Sequence, residues 1–173
     1  MNRYSIISVI AITIIVISIL YGVWGIYSVE QLQLRTQNPQ FSYFDFASYE
    51  KIRVCNPTSF FVSFSGIAID VYYLKDLKGS FRIGPSTIDP HSSKIIDSDF
   101  SSENFSEAQY LFMHMDGQFD GEVPIRLNPE EMKVITTYES RIIGVIPYHQ
   151  THIQSGFEFT KMMNGEISCE KID

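Results

Sequence analysis

Residues 66–75, Gly66-Ile67-Ala68-Ile69-Asp70-Val71-Tyr72-Tyr73-Leu74-Lys75, carry the cleanest alternation in the chain and decide its fold class. Ile67, Ile69, Val71 and Tyr73 fall on one face of an extended backbone, and Ala68, Asp70, Tyr72 and Leu74 on the other. A half-buried β-strand follows from that period of two. Working outward, Lys78-Gly79 reads as the turn into Ser80-Phe81-Arg82-Ile83, which makes a hairpin. Tyr49 to Cys55 alternates in the same way, and Phe60 to Phe64 forms another apolar run after Asn56-Pro57. Lys94 to Phe100 supplies a strand with Ile96, Ser98 and Phe100 on one face.

Further along, Ser101 to Ser106 is a polar loop. Tyr110 to Met115 is read as a strand running into an Asp116-Gly117 turn, although Ala108, Leu111, Phe112 and Met115 also fit a helical face. Val123, Ile125 and Leu127 alternate, with Pro124 marking an edge position. Asn128-Pro129-Glu130-Glu131 suits one helical turn, Asn128 capping and Pro129 opening it. Met132 to Tyr138, Arg141 to Pro147 and His149 to Phe159 complete the strands, and Asn164-Gly165 opens a polar tail. About eight short strands at this spacing predict an all-β, antiparallel β-sandwich over residues 49–159 with a tail over 160–173.

The N-terminus is of another kind. From Ser5 to Tyr27 no residue is charged, and as a helix the segment spans about 34 Å, enough for a bilayer core of about 30 Å. Its Ile and Val residues favour strands in water, but a lone strand in lipid leaves its backbone unpaired and a helix does not. Twelve Ile, Leu and Val residues between Ile6 and Val23 bias insertion by about −4 to −7 kcal/mol. Ser8, Thr13 and Ser18 are able to bond back to the helix. Tyr21, Trp24 and Tyr27 form an aromatic belt at its far end. A cleaved signal peptide is the alternative; the run is longer than a usual h-region and no small-x-small site follows. Residues 28–48 then read as a stalk or first β segment. Arg3 and the amino terminus place residues 1–4 in the cytoplasm and the domain outside, in a single-pass membrane protein.

Composition limits the function classes. After the first 27 residues the chain carries 12 basic and 20 acidic side chains, a balance of −8. Such a domain does not bind nucleic acid or anionic headgroups through bulk charge. Frequent aromatics, 13 Phe and 10 Tyr, agree with strands. Asn56-Pro57 has a local reading: the proline removes a ladder donor and holds Asn56 extended, while the amide serves a neighbouring backbone group and turns the strand at a sheet edge.

The run Ile52-Arg53-Val54-Cys55-Asn56-Pro57-Thr58-Ser59-Phe60-Phe61-Val62-Ser63-Phe64 resembles the opening of the late embryogenesis abundant group 2 domain, also called the water-stress and hypersensitive-response (WHy) domain. Gly66 to Lys75 resembles that family's long strand, Gly79 to Ile83 its successor, and Thr87 to Ser93 its linker. The resemblance covers about Tyr49 to Phe159. It implies a fibronectin-III-like or immunoglobulin-like sandwich and a non-enzymatic role linked to stress or defence. Some members carry one membrane helix before the domain. This chain departs in lacking a cytoplasmic tail and in Cys169, which does not align.

Sites of chemistry are sparse. His91, His114, His149 and His152 have no zinc-ligand spacing, and His149 and His152 point to opposite faces of a strand. Asp116, Asp120 and Glu122 flank glycines but fall short of a calcium loop. Asp97 and Asp99 share a strand face and read as solvent-facing. No nucleotide or nucleophile-elbow motif occurs. No cofactor or metal is expected, and no enzyme activity. Cys55 and Cys169 are able to pair outside the cytoplasm, or Cys55 is a free core residue. Asn104-Phe105-Ser106 is an N-glycosylation acceptor if the domain is external. The sequence therefore points to a membrane-anchored domain that protects or contacts envelope components. The alternatives are an accessory subunit of a membrane complex, docked through the helix face with Gly22 and Gly25 or open strand edges, and, less favoured, an enzyme of unknown reaction.

Overall fold

A computed structural model describes residues 3–38, 40–49, 51–119, 121, 128–142, 144–165 and 169 of the 173-residue chain. The alternating run at 123–127 and the residues Asp120 and Glu122 lie outside these.

The uncharged N-terminal segment forms one helix, α1 (Arg3–Glu30), long and apolar enough to cross a membrane. As expected of hydroxyls in an apolar helix, Thr13 Oγ1 and Ser18 Oγ donate to the carbonyls of Val9 and Ile14, each at 2.9 Å. The helix does not end in a stalk. Ser28 and Val29 are already buried, Leu32 follows them, and β1 (Gln33–Arg35) pairs at once with β2 (Lys51–Asn56). Between them α2 (Tyr43–Tyr49) adds Tyr43, Phe46 and Ala47 to the core. Residues 28–48 are thus part of the domain: the β segment is present and the stalk is not.

The strands that follow are β3 (Val62–Phe64), β4 (Gly66–Tyr73), β5 (Asp76–Ile83), β6 (Ser86–Ile88), β7 (Ser92–Ser101), β8 (Met132–Ile142) and β9 (Ile146–Ser155). Seven of the nine form one antiparallel sheet in the order β1-β2-β7-β5-β4-β8-β9, and β3 and β6 form a separate pair. β7 passes from one neighbour to another along its length. Its first six residues, Ser92–Asp97, face β2, and its last four, Ser98–Ser101, face β5. That change of partner lets the sheet curl around its own core.

Inside the curl lies an aromatic cluster. Phe46 stacks on Phe81 (centroids 4.2 Å apart), Tyr43 stacks on Phe112 and Phe159 (5.8 and 5.9 Å), and Phe41 meets Tyr43 edge-on at 4.9 Å. Tyr43 is fully buried and its hydroxyl donates to the Gly156 carbonyl at 3.1 Å; burial pushes its pKa well above the ordinary phenol value.

Three local expectations are corrected. The β4–β5 turn lies at Leu74-Lys75, both at positive φ (56° and 89°), not at Lys78-Gly79. Gly79 sits within β5, where a Cβ would overlap the Phe100 ring. Residues 110–115 are helical: α3 (Phe105–Phe119) buries Ala108, Leu111, Phe112 and Met115, so the 3.6-residue period prevails over the Asp116-Gly117 turn signal. The last strand stops at Ser155, where a capping box with Glu158 starts α4 (Gly156–Met163). The domain is therefore mostly antiparallel sheet with three helices closing it, not strands alone. The turn at Pro129–Glu131 forms as expected, with Asn128 Oδ1 accepting from Glu130 N at 3.2 Å.

The described C-terminal residues are tied to the domain. Asn164 Oδ1 accepts from Phe41 N at 2.6 Å, Thr36 N donates to the Met163 carbonyl, and Cys169 is buried in a disulfide with Cys55, Cα atoms 5.6 Å apart.

Candidate functional site

Two groups singled out in the sequence, Asn56-Pro57 and the aromatics Tyr21, Trp24 and Tyr27, meet at the junction of α1 with the domain. It starts from Asn56. This side chain is fully buried at the end of β2, and Pro57 beside it ends the strand. Its Nδ2 donates to the carbonyls of Phe60 (2.7 Å), Asp89 (3.0 Å) and Ile88 (3.3 Å). Its Oδ1 accepts from Thr58 N at 3.0 Å, with the Thr58 hydroxyl at 2.7 Å. One amide thus closes the 57–61 loop and fastens it to the turn after β6. His91 N donates to the Thr58 carbonyl across the same gap, and Ser59 Oγ lies 3.1 Å from His91 Nε2. β2 lies between β1 and β7, but β1 pairs only as far as Cys55, so Asn56 is paired on one side, with Ser92 of β7.

The loop so held presents Phe60 and Phe61, 44% and 53% exposed, to the aromatic belt. Phe60 lies 4.6 Å from Trp24 and Phe61 lies 6.4 Å from Tyr21, centroid to centroid; Tyr27 meets Trp24 edge-on at 6.0 Å. The rings of α1 and of the domain form one aromatic band. Two adjacent phenylalanines in a strand point to opposite faces, so their failure to alternate was the available signal that this run is not all strand. Val62 begins β3 here, later than the expected Phe60.

The β8–β9 hairpin forms the second wall. Ser140 Oγ donates to the Ser63 carbonyl (2.9 Å) and Ser65 N to the Glu139 carbonyl (2.8 Å), which ties β3 to β8. Tyr148 Oη donates to Glu30 Oε1 at 2.9 Å, linking β9 to the end of α1. Partial burial, then this bond to Glu30, raises the Tyr148 pKa. Ile142 and Arg141 line a cleft with Tyr21, Gly22, Trp24 and Phe61. Gly22 is buried, and Gly25, one turn away, is exposed but lines the same cleft.

The remaining candidates are dispersed. His114 packs on Tyr110 within α3, His149 is exposed on β9, and His152 lies edge-on to Tyr138 at 5.8 Å. Among the described residues no three of His, Cys, Asp and Glu come together as a metal site. Asp116, expected in a turn, lies in α3 and caps α2, accepting from Tyr43 N, Phe44 N and Ser42 Oγ, all at 2.9 Å. Asp97 and Asp99 are exposed on β7. Asn104 is exposed and caps α3, Oδ1 accepting from Glu107 N at 3.2 Å.

No family model and no curated protein matches the chain.

Proposed function

We propose that this chain is a membrane-anchored β-domain of the late embryogenesis abundant group 2 type, held outside the cytoplasm and acting by contact with other envelope components. The observation that carries the reading is the passage of α1 from an exposed apolar span straight into the buried residues Val29, Leu32 and Leu34. A helix so joined displays the domain at the membrane surface. The Cys55–Cys169 disulfide favours an oxidising compartment. The partner change along β7 supports a fibronectin-III-like sandwich.

Protease treatment of intact cells, with alkaline extraction of their membranes, tests this. The domain is expected to be cleaved from outside and the uncut chain to stay with the membrane. Recovery of a soluble chain lacking its first thirty residues, or full protection from protease, overturns it.

One observation favours a second reading, an accessory subunit of a membrane complex. β9 is the last strand of the sheet and carries Ile153, largely exposed. Co-purification of a stoichiometric partner in mild detergent, lost in Ile153→Lys, is its expected outcome.

A further inference from the structure

The tip of the β8–β9 hairpin is apolar where a solvent-facing turn is normally polar. Ile142 and Ile146 close the register and Gly144, at φ 72°, makes the bend. Val145 is 78% exposed and Ile146 56%, on a domain of net negative charge. The position of the tip relative to α1 follows from contacts already described. Tyr148 is bonded to Glu30 at the base of the helix. Ile142, which closes the hairpin, lines one cleft with Tyr21, Gly22 and Trp24, so the tip lies beside the part of α1 that carries the aromatic belt. On the helix the shielded stripe runs through Ser18, Gly22 and Ile26, so the domain reaches beside the apolar span itself. Phe61, against Tyr21, is at that level too.

We propose that the Phe60-Phe61 loop and the Val145-Ile146 hairpin tip enter the interfacial layer of the bilayer beside α1, so that the domain is seated on the lipid by three contacts. The occupant is lipid because this patch is continuous with the apolar surface of the span and sits at the height of its belt. Aromatic rings favour that layer, and the exposed Arg141 beside the tip has a stem long enough to keep its charge at the headgroups. The net negative domain argues for zwitterionic lipid. The inference rests on the membrane-anchored reading.

The chain has a single tryptophan, Trp24, which supplies the measurement. Full-length protein is reconstituted in phosphatidylcholine vesicles whose acyl chains are brominated near the headgroup. Native protein is compared with Phe61→Trp, Val145→Trp and Leu77→Trp, each combined with Trp24→Phe. Leu77 is half exposed near the β4–β5 turn at the opposite pole. All three sites are open enough to take the larger ring, and disulfide-dependent gel mobility reports folding. Quenching and blue-shifted emission at positions 61 and 145 comparable to native Trp24, with none at 77, is the expected result. Quenching of Trp24 alone overturns the seating and leaves the anchor intact. Absence of quenching at Trp24 removes the anchor and the seating together, and equal quenching at 77 overturns the defined orientation.

Discussion

Asn56 needs to be an amide, because its two N–H bonds serve three carbonyls, the longest contact sharing a hydrogen, while its oxygen accepts from Thr58. A carboxylate cannot donate, and in this buried position it faces three carbonyl oxygens. Each polar group left buried and unpaired costs about 1–3 kcal/mol. Asn56→Ala is therefore expected to lower stability by about 2–4 kcal/mol, and Asn56→Asp by at least as much, read from thermal midpoints. Tyr148→Phe removes one exposed bond and is expected to change stability by less than about 1 kcal/mol. Gly79→Ala, which drives a methyl into the Phe100 ring, is expected to cost about 1–3 kcal/mol. At this scale the sequence was partly legible. Asn-Pro announced a turn built on a side-chain amide, but the long-range carbonyls of Ile88 and Asp89 belong to tertiary structure. Gly79 was read as a turn glycine because a close approach by a ring 21 residues away leaves no local trace.

The elements misread are those where two local signals competed. In α3 the apolar spacing of Ala108, Leu111, Phe112 and Met115 was correct, and Asp-Gly misled because Asp116 serves another helix as its cap. In α4 the run from His149 to Phe159 joined a strand and a helix across a capping box that was readable: Ser155, then Glu158, then Phe159 and Met163 one turn apart. Glu158 accepts from the backbone N–H and hydroxyl of Ser155, and these bonds hold its pKa below the ordinary carboxylate range. A lowered folded pKa stabilises fully above the unfolded value of about 4.3 and is lost as pH falls through the folded value. The thermal midpoint of the native chain is thus expected to fall more steeply on acidification through that range than that of Glu158→Gln. Mutant and native curves converging only at low pH would bear this out; parallel curves would refute it.

Over the whole molecule, the strand spacing led to a β-rich domain and the uncharged run to a helix long and apolar enough to cross a membrane, because both depend on periodicity and composition. The curl of the sheet was not legible, since β7 changes partner without any change in its own pattern. Nor was the burial of Cys169, which depends on a bridge between residues 114 apart. Closing so long a loop is expected to contribute about 2–4 kcal/mol. Cys169→Ser should lower the thermal midpoint accordingly, and reduction should have the same effect on the native chain and none on the mutant.

The absence of any flexible stretch between α1 and the core carries a mechanical meaning. Single spans commonly lean about 20° from the bilayer normal and lean further when the hydrocarbon layer thins. In the proposed single-pass arrangement the core would begin directly after the span, so the pole near Leu77 would swing sideways with the helix like the end of a lever, and a change in bilayer thickness would become a displacement of that pole.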